Sequence, residues 1–265
     1  MDQPNPFRFT QSIVDQGYRL FVYDEIGSTN DEAMALAQAG DPGRAWLIAR
    51  TQTKGRGRRG RQWASLPGNL YASLLLVDEV PAILAPQLGF VAGSALARAL
   101  RECIGDDMRL RLKWPNDILF DGAKLAGILL ESCQLGDGRF ICIMGIGVNC
   151  VARPSDLPYR ATALNETGAL RFSAQDVFLH LSGTLAAALD VFARGAGFDA
   201  IREEWLGFAA GIGGPVKVDT PSGSIAGIFR TIDETGRLIV ECGDARRIVD
   251  AGDVWLAEPA EGSVG

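Results

Sequence analysis

Between Lys54 and Arg61 the chain reads KGRGRRGR, five cations and three glycines in eight residues, followed by Gln62 and Trp63. Guanidinium groups bind phosphate or carboxylate bidentately, and glycines let backbone amides approach an anion closely. Like charges at this spacing repel, so the loop is expected to stay mobile until an anion arrives. Two further clusters could do chemistry. In KWPNDI, Lys113 to Ile118, Pro115 fixes a turn and leaves Asn116 and Asp117 at a strand end. In KLAGIL, Lys124 leads an apolar run that contains Gly127. A glycine there suits a ligand lying close to backbone, or a bulge. Each cluster also has a plainer reading: a solvated charge run, a turn-stabilising asparagine, a lysine snorkelling at a sheet edge.

Gly55, Gly57 and Gly60 formally spell G-x-G-x-x-G, with Asp78 downstream. QWASLPGNL follows, and Pro67 and Gly68 forbid the helix whose N-terminus would hold a pyrophosphate. The dinucleotide reading therefore fails. An RNA-binding loop is a second reading, but only Trp63 offers a stacking partner nearby.

The rest of the chain narrows the classes. Its 265 residues carry a net charge of −6, with 47% hydrophobic and 22% charged residues. That composition builds a core and lacks the broad basic field of a nucleic-acid coat, so any basic site is local. The N-terminal MDQPNPFRFT has no apolar signal region, and the run at 70–77 is far short of the ~20 residues a membrane helix needs. Five cysteines without C-x-x-C spacing fit reduced thiols in cytoplasm better than disulfides or zinc. With His180 alone, inside a helical pattern, histidine-based metal sites and triads are all but excluded.

These side chains need elements to position them. YRLFVYDEI (18–26), AWLIAR (45–50) and LYASLLLV (70–77) read as strands. Thr29 and Glu32 have capping-box spacing, which predicts a short helix ending near Gly40. Residues 85–103 show helical periodicity, as do residues 173–207. The runs at 108–114, 125–133 and 139–149, separated by turn signals, predict an antiparallel meander. After the break GIGGP (211–215), short strands recur about every ten residues, as in a small barrel-like β domain. The predicted class is α+β: a mostly antiparallel or mixed sheet with helices over residues 1–210, then a small SH3-like β domain over 211–265.

GSTN (27–30), Gln52 ahead of GRGRRGRQW (55–63), KWPNDI (113–118), KLAGIL (124–129), GIGVN (145–149) and VDAGDVW (249–255) occur in that order. Together they resemble the biotin–protein ligases over nearly the whole chain. Lys54 departs from the small or neutral residue usual before GRG, and Val148 is a conservative variation. The resemblance implies ATP-dependent formation of biotinyl-5′-AMP with release of pyrophosphate. Transfer to one lysine of a biotin carboxyl carrier protein or domain then follows, with Mg²⁺ sharing the phosphates.

By that resemblance Arg56, Arg58, Asp117 and Lys124 are catalytic. Biotin would meet Ser28, Thr29, Asn30, Gln52, Arg56, Gly57, Arg58, Lys124 and Gly127. The nucleotide and adenylate would meet Arg58, Arg59, Arg61, Trp63, Asn116, Lys124 and Asn149. No protein-held metal site, membrane or nucleic acid is expected, and a homodimer is allowed by analogy. About twenty residues precede the first strand, too few for the helix-turn-helix that makes some relatives repressors, so an enzyme without operator binding is expected. A lipoate or octanoate ligase would show an arginine-rich stretch running into consecutive glycines and a histidine, which this chain lacks. A nucleic-acid module, or a member that binds biotin without reacting, are the remaining alternatives.

Overall fold

The structure is a computed structural model that describes residues 6–155, 157–169 and 172–256. Residues 1–5 and 257–265, the outer ends of the two expected domains, lie outside the described residues. A short helix α1 (Gln11–Asp15) precedes β1 (Arg19–Ile26), α2 (Thr29–Gln38), β2 (Ala45–Gln52) and β3 (Leu70–Val77). Then come α3 (Leu88–Ile104), β4 (Leu110–Lys113), β5 (Asp117–Phe120), β6 (Ala123–Gln134) and β7 (Phe140–Val148). Helices α4 (Ala174–Phe192) and α5 (Phe198–Phe208) lead to β8 (Pro215–Thr220), β9 (Gly223–Ile232), β10 (Leu238–Cys242), β11 (Ala245–Val249) and β12 (Asp253–Leu256).

The first seven strands form one mixed sheet in the order β1-β2-β3-β7-β6-β5-β4. Only β1 and β2 are parallel, joined by the crossover helix α2. The meander is real but has four strands: β5 was hidden inside the turn signals because ILF is too short to stand out. The last five strands form a second, antiparallel sheet in the order β11-β10-β9-β8-β12. RRIVDAGDVWL, which reads as one strand, breaks between Val249 and Asp253, and its halves sit on opposite edges of that sheet.

Strand residues alternate between faces, so β3 sends Ala72, Leu74 and Leu76 to one side and Tyr71, Ser73 and Leu75 to the other. Helices α3, α4 and α5 cover the first face. α3 carries Val91, Ala92, Ala95, Leu96, Ala99 and Leu100 at helical spacing, all buried, and ends at Gly105 with φ +77°. Trp46 meets Phe178 edge-on with ring centroids 5.3 Å apart. Two helical stretches, 82–104 and 174–195, are long and apolar enough by composition to cross a membrane. Here their apolar residues Leu96, Leu100, Phe178 and Leu185 are spent on the core.

The second face is only partly covered. α2 lays Ala33 and Ala37 on Leu47, Leu75 and Ile143. Its start differs from the expected capping box: Ser28 is the N-cap, its hydroxyl is not spent on the helix, and Thr29 turns to Gln52. Beyond α2 this face of the sheet is open.

Burial pushes the thiols of Cys103, Cys142 and Cys150 up from 9.0 to about 12. Below pH 9.0 they are neutral in both states and contribute nothing; above it the unfolded chain ionises them and the fold cannot. Stability should fall by about 1.4 kcal/mol per pH unit for each such thiol. Urea unfolding at about pH 8 and about pH 10 measures this, and equal midpoints would contradict it.

Candidate functional site

One row of neighbours crosses the open face: Tyr71 on β3, Gly147 on β7, Gly127 on β6, Asp117 on β5 and Lys113 on β4. The next row holds Ser73, Gly145 and Leu129. The glycines make the sheet backbone itself a floor. A Cβ at Gly147 would stand 2.7 Å from the Trp63 ring, one at Gly127 3.0 Å from it, and one at Gly145 2.4 Å from Asn30 Oδ1. Trp63 therefore packs close against bare backbone.

Simple alternation would send Lys124 to the opposite face from Gly127. It does not, because the β5–β6 register slips, pairing Ile118 with Ala126 but Leu119 with Lys124. Leu125 is the extra residue, buried among the helices, and this bulge turns Lys124 onto the open face. Its ammonium lies 2.6 Å from Asp117 Oδ1, an ion pair too oblique to count as a hydrogen bond. It also sits between two rings, 5.4 Å from the centre of Trp63 and 5.6 Å from that of Tyr159. Lys113 approaches Asp117 at 3.8 Å, and burial lowers its pKa.

The basic loop runs across this floor, and its charge is not unopposed as the sequence suggests. Arg56 reaches Asp31 at 2.6 Å and Glu131 at 3.1 Å, and these carboxylates, Asp31 first, hold its pKa up. Arg59 pairs with Asp253 at 2.8 Å, and Arg61 pairs with the same carboxylate. Arg58 is different: among the described residues it has no ion pair, only Asn116 Oδ1 at 3.2 Å and the Gly252 carbonyl at 3.3 Å. Burial pulls its pKa down, offset in part by Asp253. A desolvated guanidinium whose hydrogen-bond partners are neutral is an anion site.

The result is a cleft of about 450 Å³ between the sheet floor, the basic loop and β12. Ser28, Thr29, Asn30, Gln52, Arg56, Gly57, Arg58, Arg61, Trp63, Asn116, Asp117, Lys124 and Gly127 all line it. Arg59 and Asn149 do not. Arg59 turns out to Asp253, while Asn149 is buried and donates to the Thr162 carbonyl. Several lining residues escaped sequence reasoning: Arg111 on β4, Tyr159 and Arg160 on a loop, and Asp253 and Trp255 on β12. Lys113 stands within KWPNDI, a cluster named from the sequence without a role for this lysine, and its pairing opposite Asp117 brings it to the cleft. Among the described residues no three His, Cys, Asp or Glu side chains cluster as a metal site.

Asp253 ties the loop to the second sheet. Asp253→Asn should loosen residues 55–61, raising trypsin cleavage there a few-fold, since such exposed pairs are worth about 0.2–1 kcal/mol each. Unchanged cleavage would show that the loop is held by other contacts.

Residues 26–149 match the model of the biotin/lipoate A/B protein ligase family, and residues 211–256 that of the biotin protein ligase C-terminal domain. The chain is 40% identical over 235 residues to a biotin–[acetyl-CoA-carboxylase] ligase of Paracoccus denitrificans, covering 86% of this chain and 97% of that one. A bifunctional ligase/repressor of Escherichia coli is 36% identical over 233 residues, 85% of this chain and 70% of its own. Among solved structures, a biotin protein ligase from Aquifex aeolicus in complex with biotin and ATP superposes with a TM-score of 0.77 at 29% identity, covering 91% of this chain and 99% of that one. The chain belongs to the biotin–protein ligase family.

Proposed function

We propose that this cleft activates biotin with ATP to biotinyl-5′-AMP and pyrophosphate, then transfers the biotinyl group to a lysine of a carboxyl carrier protein or domain. The observation that carries this reading is the row running from glycine floor to cations: a flat apolar bed at Gly127 and Gly147 under Trp63 leads directly to Lys124, Lys113 and Arg58. A fused-ring acid with an apolar tail fits that sequence of surfaces. Its ring would lie toward Ser28, Thr29 and Gln52, and its carboxylate at Lys124 and Arg58.

In the first step a carboxylate oxygen attacks the α-phosphorus of ATP, and the bond to the β-phosphate oxygen breaks. Two anions must approach, so fixed cations aimed at the developing charge lower the barrier. Lys124 is fixed by Asp117 and two rings, and Arg58 by Asn116 and Gly252. ATP enters as its magnesium complex. Mg²⁺ usually keeps waters and takes few protein carboxylates beside the phosphates, and Asp117 with its two lysines is no cage for it. In the second step a neutral lysine amine attacks the acyl carbon, AMP leaves, and the amine loses a proton. Asp117 orients that amine or takes its proton. Closure of residues 55–63 over the mixed anhydride excludes water.

The five free thiols support a reducing, cytoplasmic setting, and the edge strand β1 allows a homodimer. The activity test is pyrophosphate release with ATP, magnesium and, in parallel, biotin or lipoate, followed by biotin transfer to a purified carrier domain. Release with lipoate alone would move the protein to the neighbouring lipoate chemistry.

A further inference from the structure

A chain of buried polar groups leads from the ring end of the cleft to Glu131, a residue outside every motif above. Arg56 Nη2 lies 3.1 Å from both Glu131 oxygens, and Asn30 Nδ2 donates to Oε2 at 2.6 Å. Asn30 Oδ1 accepts from Ser73 Oγ at 2.6 Å, and Ser73 Oγ lies 2.7 Å from Thr29 Oγ1. Ser73, Asn30 and Thr29 are all buried. Thr29 Oγ1 also lies 3.1 Å from Gln52 Oε1, which accepts the Thr29 backbone N–H at 2.8 Å.

The direction of this chain is forced from one end. A carboxylate paired with arginine offers only lone pairs, so the Asn30 amide must present its NH₂ to Glu131 and its oxygen to Ser73. An amide oxygen cannot donate, so the single Ser73 proton goes to Asn30. Ser73 then faces Thr29 as an acceptor, and Gln52 Oε1 is an acceptor too. Whichever takes the Thr29 proton, that proton stays inside the protein. Thr29 therefore shows a ligand only a lone pair. Gln52, its oxygen committed to Thr29, turns its NH₂ toward Ser65, and the residue lines the cleft.

We propose that Glu131 is a positioning residue that, acting through Asn30 and Ser73, keeps Ser73 from donating to Thr29 and so leaves the Thr29 oxygen free to accept from a ring N–H. The pocket then offers an acceptor at Thr29 beside a donor at Gln52. That pair matches an N–H next to a C=O, as in a cyclic urea, and leaves a sulfur ring such as a dithiolane with unpaired partners. Sites built to pair with polar groups reject analogues that lack them. The inference rests on biotin being the substrate.

Glu131→Gln tests it, because glutamine keeps the shape but can donate as well as accept, so the Asn30 amide loses its imposed orientation. Titration calorimetry would compare wild type and variant with biotin and with biotinol, whose side chain ends in an alcohol. The expected result is about a tenfold loss of affinity in the variant for both ligands, the loss typical of disturbing one charge-assisted hydrogen bond. Thermal unfolding of the variant should match wild type. A loss confined to biotin would show that Glu131 serves the carboxylate through Arg56 alone, and would overturn the proposal. So would undiminished binding of both ligands. If wild type bound neither, the biotin reading itself would fall.

Discussion

Lys124→Ala should lower biotin-dependent pyrophosphate release by about a hundredfold to a thousandfold, the loss seen when one preorganised donor to developing charge is removed. The fold should survive. Lys124 is one of two lysines facing Asp117, so removing it leaves the carboxylate opposite Lys113 rather than orphaned. Its side chain is only 17% exposed, yet it lies on the open face of the sheet and not in the helix-covered core. Stopped assays with radiolabelled pyrophosphate would give the rate, and thermal unfolding the control. Lys124→Arg sharpens the test: it keeps the charge but cannot place a compact ammonium between Trp63 and Tyr159, so it should recover little. Full activity in Lys124→Ala would remove Lys124 from the reacting centre. Loss of activity together with collapse of the fold would reduce it to a structural ion pair.

The second large effect is expected at Gly147→Ala. Gly147 lies in a regular strand between Tyr71 and Gly127, so alanine costs nothing in backbone conformation. The new methyl would meet the Trp63 ring at 2.7 Å, and the ring belongs to a loop that can lift. A ligand reaches this floor only when the Trp63 ring lifts from it, so the penalty falls on the ligand, whose bed is raised by a methyl group. Overpacking of this kind costs about 1–3 kcal/mol, which predicts biotin binding weaker by about tenfold to a hundredfold. Calorimetry on the variant measures it, with unfolding temperature expected to be unchanged or higher. Biotin affinity equal to wild type would mean that the ligand does not lie on this floor.

Much of this site could be read before the fold was known, because its parts are local. Arg56, Arg58, Asp117, Lys124 and Gly127 sit in short motifs that single them out by residue type, while their expected roles came from the family resemblance. What stayed hidden is what depends on pairing over long separations. The carboxylate opposing Arg59 and Arg61 is Asp253, almost two hundred residues away, so the loop looked like free charge. Glu131 sits at the end of an apolar run as an ordinary strand residue, and only the β6–β7 register with α2 above brings it to Asn30.

The bulge at Leu125 is a third case. Period-two alternation predicts the wrong face for Lys124 relative to Gly127, and although Gly127 suits a bulge, nothing in KLAGIL places the extra residue at Leu125. The elements themselves were legible where they were long. β3 and β7 read directly, whereas the four residues of β5 lacked the length to show a period. The helical stretch at 173–207 is two helices, because Ala193 and Arg194 take left-handed conformations that no periodicity reveals.

Native mass spectrometry after incubation with ATP, magnesium and biotin decides whether this cleft makes an acyl-adenylate. A retained adduct with the mass of biotinyl-5′-AMP is expected, absent when biotin is replaced by lipoate or octanoate and lost in Lys124→Ala. A folded protein that retains no adduct and releases no pyrophosphate would contradict the proposed chemistry.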